Sequence, residues 1–334
     1  MAELLNVREL STAITTRNGE MRVVDDVSFS IATGEVFGLV GESGSGKSMT
    51  CRSILGLLPT RGRVVGGSVR FEDTELVGRS EKDLRRWRGR SIALIVQEPA
   101  GALNPVMRVG DQLIQALRQH RKLDVRAAYK AAIDLLTRVG ITSPETRMEQ
   151  YPHQFSGGMS QRVVIALALA GQPRLLLADE PTTALDVTIQ EQIMTLLLEL
   201  QRDLGLSLLL VTHNLGLVAQ TCDRVAVMYA GKIVELAPVR ELFSAPRHPY
   251  TLGLLRCVPT IDATDTRQLD PVPGSPPDMF GLPSGCRFHP RCPLASDECR
   301  RGPIPLVETR PGHWSACLKH DQVAALPAQE VLHA

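Results

Sequence analysis

The chain has 334 residues, 43% of them hydrophobic, which is enough to fill the core of one large or two ordinary domains. Its 37 Lys and Arg residues are balanced by 36 Asp and Glu residues, so it has no net positive field of the kind that attracts nucleic acid or an acidic membrane surface. This composition excludes a strongly basic nucleic-acid-binding protein, and no nucleic-acid partner is expected.

Neither a secretory signal nor a transmembrane segment is expected. The start of the chain lacks a basic stretch followed by a long apolar run, which a signal peptide requires. The longest apolar run, residues 163–170, is far shorter than the roughly 18 residues that cross a bilayer. Because the interior of a cell is reducing, the seven cysteines are interpreted as thiols or metal ligands rather than disulfides.

Three short apolar runs predict buried strands at residues 36–40, 175–178 and 206–211. Helix-like segments alternate with them, which is typical of an α/β domain with a parallel sheet. Ligands of such sheets bind beyond the carboxyl ends of the strands. The polar residues that follow each run are therefore the first candidates for a functional site.

Two other regions have a distinct character. The amphipathic stretches 111–120 and 125–139 predict helices, which we interpret as part of an inserted helical subdomain at about residues 98–170. Most of the 22 prolines lie from Pro238 onward and indicate an extended or turn-rich tail. We therefore expect a regular domain, residues 1–258, followed by an extension, residues 259–334.

A complete phosphate-binding pattern, G-x-x-x-x-G-K-[ST], follows the first predicted strand and precedes a predicted helix. Its residues are Gly41, Glu42, Ser43, Gly44, Ser45, Gly46, Lys47 and Ser48. Glycines allow the backbone to wrap around phosphate oxygens, and the helix adds its positive N-terminus. We expect Lys47 to contact the β- and γ-phosphates and the Ser48 hydroxyl to ligate magnesium. The alternative, a chance Gly/Ser loop, is disfavoured by the complete pattern in this context.

Two carboxylates, Asp179 and Glu180, end the second predicted strand. Asp179 is suited to hold the magnesium shell, and Glu180 is suited to polarise the attacking water as general base. Solvated acids at the end of a strand would be the simpler interpretation of this segment alone. That interpretation is disfavoured because Lys47 follows another strand of the same chain, as a phosphoryl-transfer site requires.

Two further polar residues follow predicted strands. His213 follows the third strand, where a histidine can contact the γ-phosphate or orient water, although a lone histidine is more often an ordinary surface or core residue. Gln97 follows the apolar run 92–96 and is an unremarkable amide in isolation. Together with Ser48 and Asp179, it becomes a candidate ligand of magnesium or water.

The segment Phe155-Ser156-Gly157-Gly158-Met159-Ser160-Gln161-Arg162 resembles the signature segment of ATP-binding cassette (ABC) ATPases. A serine and two glycines ahead of a helix form an anion cradle of hydroxyl and N–H groups, although they are also able to cap a helix. In the family, this cradle closes over the nucleotide of a second subunit. The resemblance implies that Ser156, Gly157, Gly158 and Gln161 contact the nucleotide of a partner ABC ATPase, identical or different.

Six motifs occur in the order of the ABC family between Leu5 and Pro259. Besides the phosphate loop, the signature and the two acids, they are Gln97 of the Q-loop, Ala184-Leu185-Asp186 of the D-loop and His213 of the H-loop. The resemblance implies a P-loop NTPase: an ABC nucleotide-binding domain with an antiparallel β subdomain, an inserted helical subdomain and a Pro/Cys-rich C-terminal extension.

The same resemblance implies functional roles, with ATP and Mg²⁺ as cofactors. Glu180 is expected as the general base, His213 as a sensor of the γ-phosphate, and Asp186 as a residue that communicates across the dimer interface. Met49 stands where many relatives carry a hydroxyl, and its backbone N–H is expected at the α-phosphate.

Wider stretches resemble the peptide/nickel importer ATPases, the motor subunits of oligopeptide and dipeptide uptake systems. The resemblance implies an ATPase at the cytoplasmic face of the inner membrane that drives peptide uptake through two integral-membrane permeases, which engage an extracytoplasmic substrate-binding protein. Nickel chelates, opines, sugars or other small solutes are alternative cargoes. The stretches are Gln97-Glu98-Pro99, Leu103-Asn104-Pro105, residues 151–159, residues 179–188 and His248-Pro249-Tyr250-Thr251.

A non-transport ABC ATPase of DNA repair or translation is a further alternative. Repair ATPases insert a very long coiled coil between phosphate loop and signature, and translation ATPases carry two cassettes per chain. This chain has a short stretch between Lys47 and Ser156 and a single set of motifs. A pseudo-enzyme that only binds nucleotide is disfavoured because all the hydrolytic residues are present.

Four cysteines lie close to the C-terminus: Cys286, Cys292, Cys299 and Cys317. Four thiolates can hold an iron–sulfur cluster or a zinc ion, and their spacing is wider than the usual C-x₂₋₄-C step of zinc sites. Four unconnected thiols are the alternative. The stretch resembles the C-terminal extension of peptide importer ATPases, some of which hold a [4Fe–4S] cluster, and so implies a structural cluster here.

The usual platform for adenine is missing. ABC ATPases stack the base on an aromatic residue before the phosphate loop, whereas the first aromatic residue of this chain is Phe29, expected to point inward from a strand. Arg17 or Arg22 could stack on the base through a guanidinium plane. We therefore expect weak discrimination between ATP and GTP.

Overall fold

The computed structural model describes residues 2–183, 185–257 and 272–326. Within these ranges, strands and helices alternate along most of the chain. The strands are β1 (Glu3–Thr16), β2 (Gly19–Ala32), β3 (Val36–Val40), β4 (Gly62–Phe71), β5 (Thr74–Glu75), β6 (Ile92–Ile95), β7 (Leu175–Asp179), β8 (Ser207–Thr212), β9 (Arg224–Tyr229), β10 (Lys232–Pro238), β11 (Val307–Arg310) and β12 (His313–Ser315).

The helices vary from one turn to five. Within the described ranges, no helix combines the length and the apolarity needed to cross a membrane. The α-helices are α1 (Lys47–Leu55), α2 (Glu81–Leu84), α3 (Pro99–Ala102), α4 (Val109–Arg121), α5 (Val125–Arg138), α6 (Pro144–Met148), α7 (Gly157–Leu169), α8 (Val187–Leu204), α9 (Leu215–Thr221), α10 (Val239–Ser244), α11 (Pro249–Arg256) and α12 (His320–Ala324). Short 3₁₀ helices span Pro152–Gln154, His289–Arg291 and Asp297–Arg300.

The chain divides into two compact units. The first comprises Met1–Val77 and Thr212–Ala334, and the second comprises Gly78–Val211. In the first unit, β1 pairs antiparallel with β2 and β4 to form a four-stranded sheet in the order β2-β1-β4-β5. This sheet is the antiparallel β subdomain that the family resemblance implied.

The first unit also contains the strand that precedes residues 41–48, the Gly-rich loop that carries the phosphate-binding pattern. Strand β3 pairs in parallel with β9, and β9 pairs antiparallel with β10. All five residues of β3 are buried, which confirms the strand predicted at residues 36–40. A strand covered on both faces needs apolar residues at every position, and this is why a continuous apolar run predicted it correctly.

The second unit contains three parallel strands in the order β8-β7-β6. All five residues of the middle strand, β7, are buried. The strands predicted at 175–178 and 206–211 are confirmed, with ends that differ by one residue. Parallel strands place their carboxyl ends at one edge, so the residues that follow β6 and β7 meet there.

Helices α4 and α5 confirm the amphipathic pattern of the second unit. The predicted stretches 111–120 and 125–139 correspond to Val109–Arg121 and Val125–Arg138. The Asp124 carboxylate starts α5 by accepting a hydrogen bond from the Ala127 N–H at 2.8 Å, as an N-cap does. The apolar faces of the two helices are buried through Leu113, Leu117, Ala128, Ala132 and Leu136.

The proline-rich C-terminal extension is described from residue 272 to residue 326. It has little regular structure, as its prolines predict. However, β12 pairs with β10 and β11 pairs with β12, so the extension adds strands to the first unit rather than forming only a turn-rich tail. The boundary predicted between residues 258 and 259 lies outside the described residues.

Candidate functional site

The Gly-rich loop, residues 41–48, connects β3 to α1 and folds around the side chain of Lys47. The Lys47 ammonium donates hydrogen bonds to the carbonyl oxygens of Gly41 (2.7 Å) and Glu42 (2.9 Å) and lies 3.5 Å from Ser45 Oγ. Lys47 is only 4% exposed. A positive charge buried in this way favours an anion close by, so the loop is a suitable binding site for phosphate.

Two glycines of this loop accept conformations that other residues do not. Gly41 has a φ of 150°, and a Cβ there would lie 2.2 Å from the Met228 carbonyl oxygen. Gly46 has a φ of 105°, and a Cβ there would lie 2.5 Å from the Val23 carbonyl oxygen. Gly46 directly precedes α1, so the N–H groups of the first helical turn border the loop.

Distant parts of the first unit also support the loop. The Glu42 N–H donates to the Tyr250 hydroxyl at 2.8 Å, and the Gly231 N–H donates to the Ser45 carbonyl at 2.8 Å. Burial raises the pKa of the Tyr250 hydroxyl, which therefore stays protonated at neutral pH. Tyr250 was not among the predicted site residues, because no local pattern links it to the loop.

The two predicted acids occupy different environments. Asp179 ends β7 and is 4% exposed. Glu180 follows with a φ of 47°, and its N–H donates to the Val211 carbonyl at 2.9 Å. A positive φ is costly for a glutamate and is typical of functional sites. This turn directs the backbone away from the strand immediately after the two carboxylates.

The structure brings Gln97 and Glu180 together. The Gln97 amide donates from Nε2 to Glu180 Oε2 at 3.0 Å, and the Thr183 hydroxyl donates to the same oxygen at 2.8 Å. A carboxylate oriented by two donors is suitably fixed to accept a proton from water. Thr183 was missed as a site residue, although its position three residues after Glu180 is compatible with a turn.

The signature residues form the start of α7. The Ser156 hydroxyl accepts a hydrogen bond from the Met159 N–H at 3.3 Å, so the serine caps the helix. A Cβ at Gly158 would lie 2.7 Å from Ile189 Cγ2. Within the chain, Ser156 therefore caps α7, which is the alternative function considered above for the signature segment. Gly158 permits α7 to pack closely against α8.

Gln161 lies inside the second unit. It is 1% exposed, and among the described residues neither its side-chain nitrogen nor its side-chain oxygen has a hydrogen-bond partner. In this arrangement the amide faces the protein interior rather than a second subunit.

Asp186 and His213 are exposed. Asp186 caps α8 by accepting a hydrogen bond from the Ile189 N–H at 3.0 Å. His213 lies in the turn between β8 and α9. Asn214 then caps α9 by accepting a hydrogen bond from the Leu217 N–H at 3.1 Å. Ala184 of the predicted D-loop lies outside the described residues.

The candidates for adenine binding differ in their surroundings. Phe29 is 6% exposed and stacks on Phe37 with ring centroids 5.1 Å apart, so it points inward as expected. Arg22 pairs with Asp25 at 3.4 Å, and Arg17 is exposed in the turn between β1 and β2. An inward Phe29 offers no stacking face to a nucleotide.

All four C-terminal cysteines line one small cavity of about 20 Å³ in the first unit, together with His248 and Phe288. Its volume is close to the space that one water molecule needs. Burial raises the pKa of the Cys292 thiol to about 11 and that of the Cys317 thiol to about 12, so both thiols are neutral at pH 7. Among the described residues, no group of three or more His, Cys, Asp or Glu side chains is arranged to hold a metal ion.

Comparison with known proteins identifies the family. The family model "ABC transporter" matches residues 24–183, and the model "Oligopeptide/dipeptide transporter, C-terminal region" matches residues 234–299. The oligopeptide transport ATP-binding protein OppD of Escherichia coli is 46% identical over 98% of this chain and 95% of its own length. The chain belongs to the ABC transporter family. The dipeptide transport ATP-binding protein DppD of Bacillus subtilis is 50% identical to this ABC protein over 97% of each chain.

Solved structures agree with this family assignment. A dimeric ATP-binding cassette in a post-hydrolysis state, bound to ADP and Pi, matches 71% of the ABC chain and 99% of its own length with a TM-score of 0.64 and 25% identity. The predicted α/β P-loop fold is thereby confirmed. The similarity to OppD and DppD confirms the predicted resemblance to peptide importer ATPases. This ABC protein is an ATPase of the transporter type.

Proposed function

We propose that this ATPase couples ATP binding and hydrolysis to the uptake of di- or oligopeptides across the cytoplasmic membrane. The observation that carries the proposal is its similarity to OppD and DppD over nearly the full length of all three chains. The match of residues 234–299 to a C-terminal region of oligopeptide/dipeptide transporters supports it, because this region lies outside residues 24–183, which match the general ABC transporter model. Nickel chelates, opines and other small solutes are the competing cargoes.

In this proposal, the Gly-rich loop holds the nucleotide phosphates. Lys47 neutralises the β- and γ-phosphates, and loop amide groups up to the Met49 N–H bind phosphate oxygens. Ser48, Gln97 and Asp179 would supply oxygen ligands of the kind that Mg²⁺ prefers. The metal neutralises charge on the phosphates when bound.

Glu180 is the proposed general base of hydrolysis. Its carboxylate is held by the Gln97 amide and the Thr183 hydroxyl, and these two donors orient it to accept a proton from water. His213 is the proposed sensor of the γ-phosphate. These residues resemble in type and order those that ABC ATPases use.

The proposal for Glu180 is tested by Glu180→Gln in the assembled transporter. We expect kcat for ATP hydrolysis to fall about 100- to 10,000-fold while ATP binding persists, and peptide uptake into vesicles to stop. Glu199→Gln, on the exposed face of α8, is the matched control and leaves both rates unchanged. An unchanged hydrolysis rate in Glu180→Gln would show that this carboxylate is not the base.

A second ATPase subunit, identical or different, is proposed to complete each site. Ser156, Gly157 and Gly158 would then contact the nucleotide bound to the partner, with Gln161 behind them and Asp186 at the dimer interface. The partners beyond this dimer are two integral-membrane permeases and, through them, an extracytoplasmic binding protein. This arrangement places the chain at the cytoplasmic face of the inner membrane, with residues 1–258 as the cassette and residues 259–334 as the extension.

A pair of helix caps tests the shared site. Ser156 caps α7 and Asp124 caps α5, so Ser156→Ala and Asp124→Ala each lower the free energy of unfolding by about 1 kcal/mol. Only Ser156→Ala is expected to lower the ATPase rate of the assembled complex as well. Equal ATPase rates in the two variants would remove the role of Ser156 at a partner's nucleotide.

We also propose that the cysteine cavity holds a [4Fe–4S] cluster. The convergence of Cys286, Cys292, Cys299 and Cys317 on one cavity supports this proposal, because such a cluster needs four cysteine side chains from one region of the fold. Its ligand set is the usual four thiolates, and the cavity has to widen to hold it. The cluster would stabilise an extension that is too short to build its own core.

Iron and zinc content of anaerobically purified protein tests this proposal. Four iron atoms per chain are expected, with loss of iron in Cys299→Ser and no loss in Cys51→Ser, which replaces a buried cysteine outside the cavity. One zinc per chain, or no metal at all, would contradict the cluster.

A further inference from the structure

An ion pair joins the C-terminal extension to the Gly-rich loop. The Arg291 guanidinium donates from Nη1 to Glu42 Oε2 at 2.7 Å and from Nη2 to Glu42 Oε1 at 3.0 Å. The side chain of Arg291 is 5% exposed and that of Glu42 is 26% exposed. A guanidinium that donates to both carboxylate oxygens fixes the orientation of its partner, unlike the single contacts of most surface ion pairs.

Arg291 is itself held rigidly. Its Nε donates to the Pro273 carbonyl at 2.7 Å, and its Nη1 lies 3.3 Å from the Tyr229 hydroxyl. The guanidinium also lies over the rings of Tyr229 and Phe288, 5.7 and 5.8 Å from their centroids. A planar side chain fixed on several sides loses little further entropy when it holds a carboxylate.

Glu42 transmits this contact to the phosphate-binding groups. Its carbonyl oxygen accepts hydrogen bonds from Lys47 Nζ at 2.9 Å and from the Ser45 N–H at 3.2 Å, and its own N–H donates to the Tyr250 hydroxyl. A rotation of Glu42 would therefore displace the carbonyl that holds the Lys47 ammonium. The side chain of Glu42 belongs to the extension's contact, whereas its backbone belongs to the phosphate site.

We infer that Arg291 is a positioning residue for nucleotide binding: by holding the Glu42 carboxylate, it keeps the Gly-rich loop and the Lys47 ammonium in the arrangement that binds phosphate. Arg291 acts through Glu42 and contributes no group to the nucleotide. This inference rests on the proposed role of residues 41–48 as the nucleotide site. The competing explanation is a structural anchor that only attaches the extension to the first unit.

Equilibrium binding of a non-hydrolysable MgATP analogue to the full-length chain in its transporter tests the inference. We expect Arg291→Met to raise Kd about tenfold or more, as the loss of a charged hydrogen-bond pair does. Arg291→Lys keeps the positive charge but cannot form the bidentate pair with Glu42, so its Kd should lie between those of wild type and Arg291→Met. Arg300→Met, an arginine of the same extension paired with Asp297 at the surface, is the matched control and leaves Kd unchanged.

A double-mutant cycle separates positioning from anchoring. If Arg291 acts through Glu42, Arg291→Met combined with Glu42→Gln binds no more weakly than the weaker single variant, whereas independent effects would multiply. Multiplying effects would overturn the inference. A lower unfolding midpoint in Arg291→Met with an unchanged Kd would also overturn it, because a structural anchor behaves in that way.

Two further variants keep the result decisive. Lys47→Ala should abolish analogue binding; binding that survives this change would refute the proposed nucleotide site, whereas lost binding in Lys47→Ala with wild-type Kd in Arg291→Met would refute only the inference. If Arg291→Met does not fold, Arg291→Lys is compared with Arg300→Lys. An equal Kd in these two variants would again overturn the role of Arg291.

Discussion

The Gly-rich loop and the C-terminal extension meet at Glu42 and Arg291, yet they are stabilised by contacts of different range. Lys47 of the loop is held by its neighbours, since it bonds to carbonyl groups no more than six residues away, and Tyr250 and Gly231 add hydrogen bonds from distant parts of the chain. The extension is organised by distant partners: Arg287 pairs with Asp25 across 262 positions of the chain, and Arg291 pairs with Glu42 across 249.

This difference shows how a phosphate-binding loop can depend on an irregular segment that is distant in the chain. The described part of the extension contains two 3₁₀ helices of three and four residues, strands of four and three residues, and an α-helix of five residues. Such short elements are not stable alone. The extension is therefore ordered by the first unit, and in return it holds the Glu42 side chain of the loop.

The largest expected effect concerns the aromatic cluster that attaches the extension. Phe288 is 2% exposed, and its ring centroid lies 5.2 Å from that of Tyr229 and 5.4 Å from that of Tyr250. Phe288→Ala should lower the free energy of unfolding by about 3–5 kcal/mol, as large cavities do. Phe280→Ala, 46% exposed in the same extension, is the control for urea denaturation. Equal losses in the two variants would show that this cluster does not hold the extension.

A smaller effect is expected from the local geometry of the loop. Gly41→Ala should lower the free energy of unfolding by about 3 kcal/mol, because the new Cβ would clash with the Met228 carbonyl and the backbone would be strained. Gly44 has a φ of 78°, but a Cβ there would meet open space. Gly44→Ala should therefore lower the free energy of unfolding by only about 1 kcal/mol, from backbone strain alone. Thermal unfolding and analogue binding of the two variants check this order. Similar values would mean that the contact with Met228 does not restrict the loop.

Removing the Tyr250 hydroxyl, which accepts a hydrogen bond from the loop, should have a moderate effect on stability. Tyr250→Phe leaves the Glu42 N–H without its acceptor, which should cost about 1–3 kcal/mol and raise Kd for nucleotide. Tyr129→Phe, on the exposed side of α5 at 40% exposure, is the matched control in urea denaturation. A Tyr250→Phe protein as stable as this control would contradict a role for the hydroxyl in holding the loop.

The smallest effect concerns the pH dependence of the extension's attachment. Burial alone would raise the pKa of the Asp25 carboxyl. The charges of Arg287 and Lys232 and the hydrogen bonds from Arg287 and Arg22 outweigh burial, so the pKa is lowered overall. A carboxylate whose pKa is lower in the folded state than in the unfolded state stabilises the fold when it is ionised. This stabilisation is complete above about pH 3.9, the unfolded-state pKa, and is lost as the pH falls through the folded-state pKa.

The measurement is urea denaturation of Asp25→Asn and wild type between pH 7 and pH 3. The variant should be less stable at pH 7, and the difference should shrink as the pH falls below about 3.9. Asp73→Asn, in the exposed turn between β4 and β5, should follow wild type throughout. A constant difference between Asp25→Asn and wild type across this range would contradict an ionised Asp25 as the stabilising species.

The parts of the site that were predictable share one property: their determinants are adjacent in the chain. The apolar run at 36–40 followed by Gly41 and Lys47 specifies a strand, a turn and a helix start through local sterics and burial. The two acids at the end of β7, Asp179 and Glu180, were predictable for the same reason. Thr183 was not predicted, because a threonine near an acid has many ordinary explanations until its hydroxyl is found on the Glu180 carboxylate.

The sequence alone therefore determined the α/β fold, the Gly-rich loop, the order of the motifs and the family, since hydrophobic periodicity and backbone restrictions act between near neighbours. The tertiary structure alone decided that Gln97 contacts Glu180, that four cysteines share one cavity, and that Arg291 holds Glu42. Such contacts join residues up to 249 positions apart. They depend on how the strands and helices pack, and packing leaves no periodic pattern in the chain.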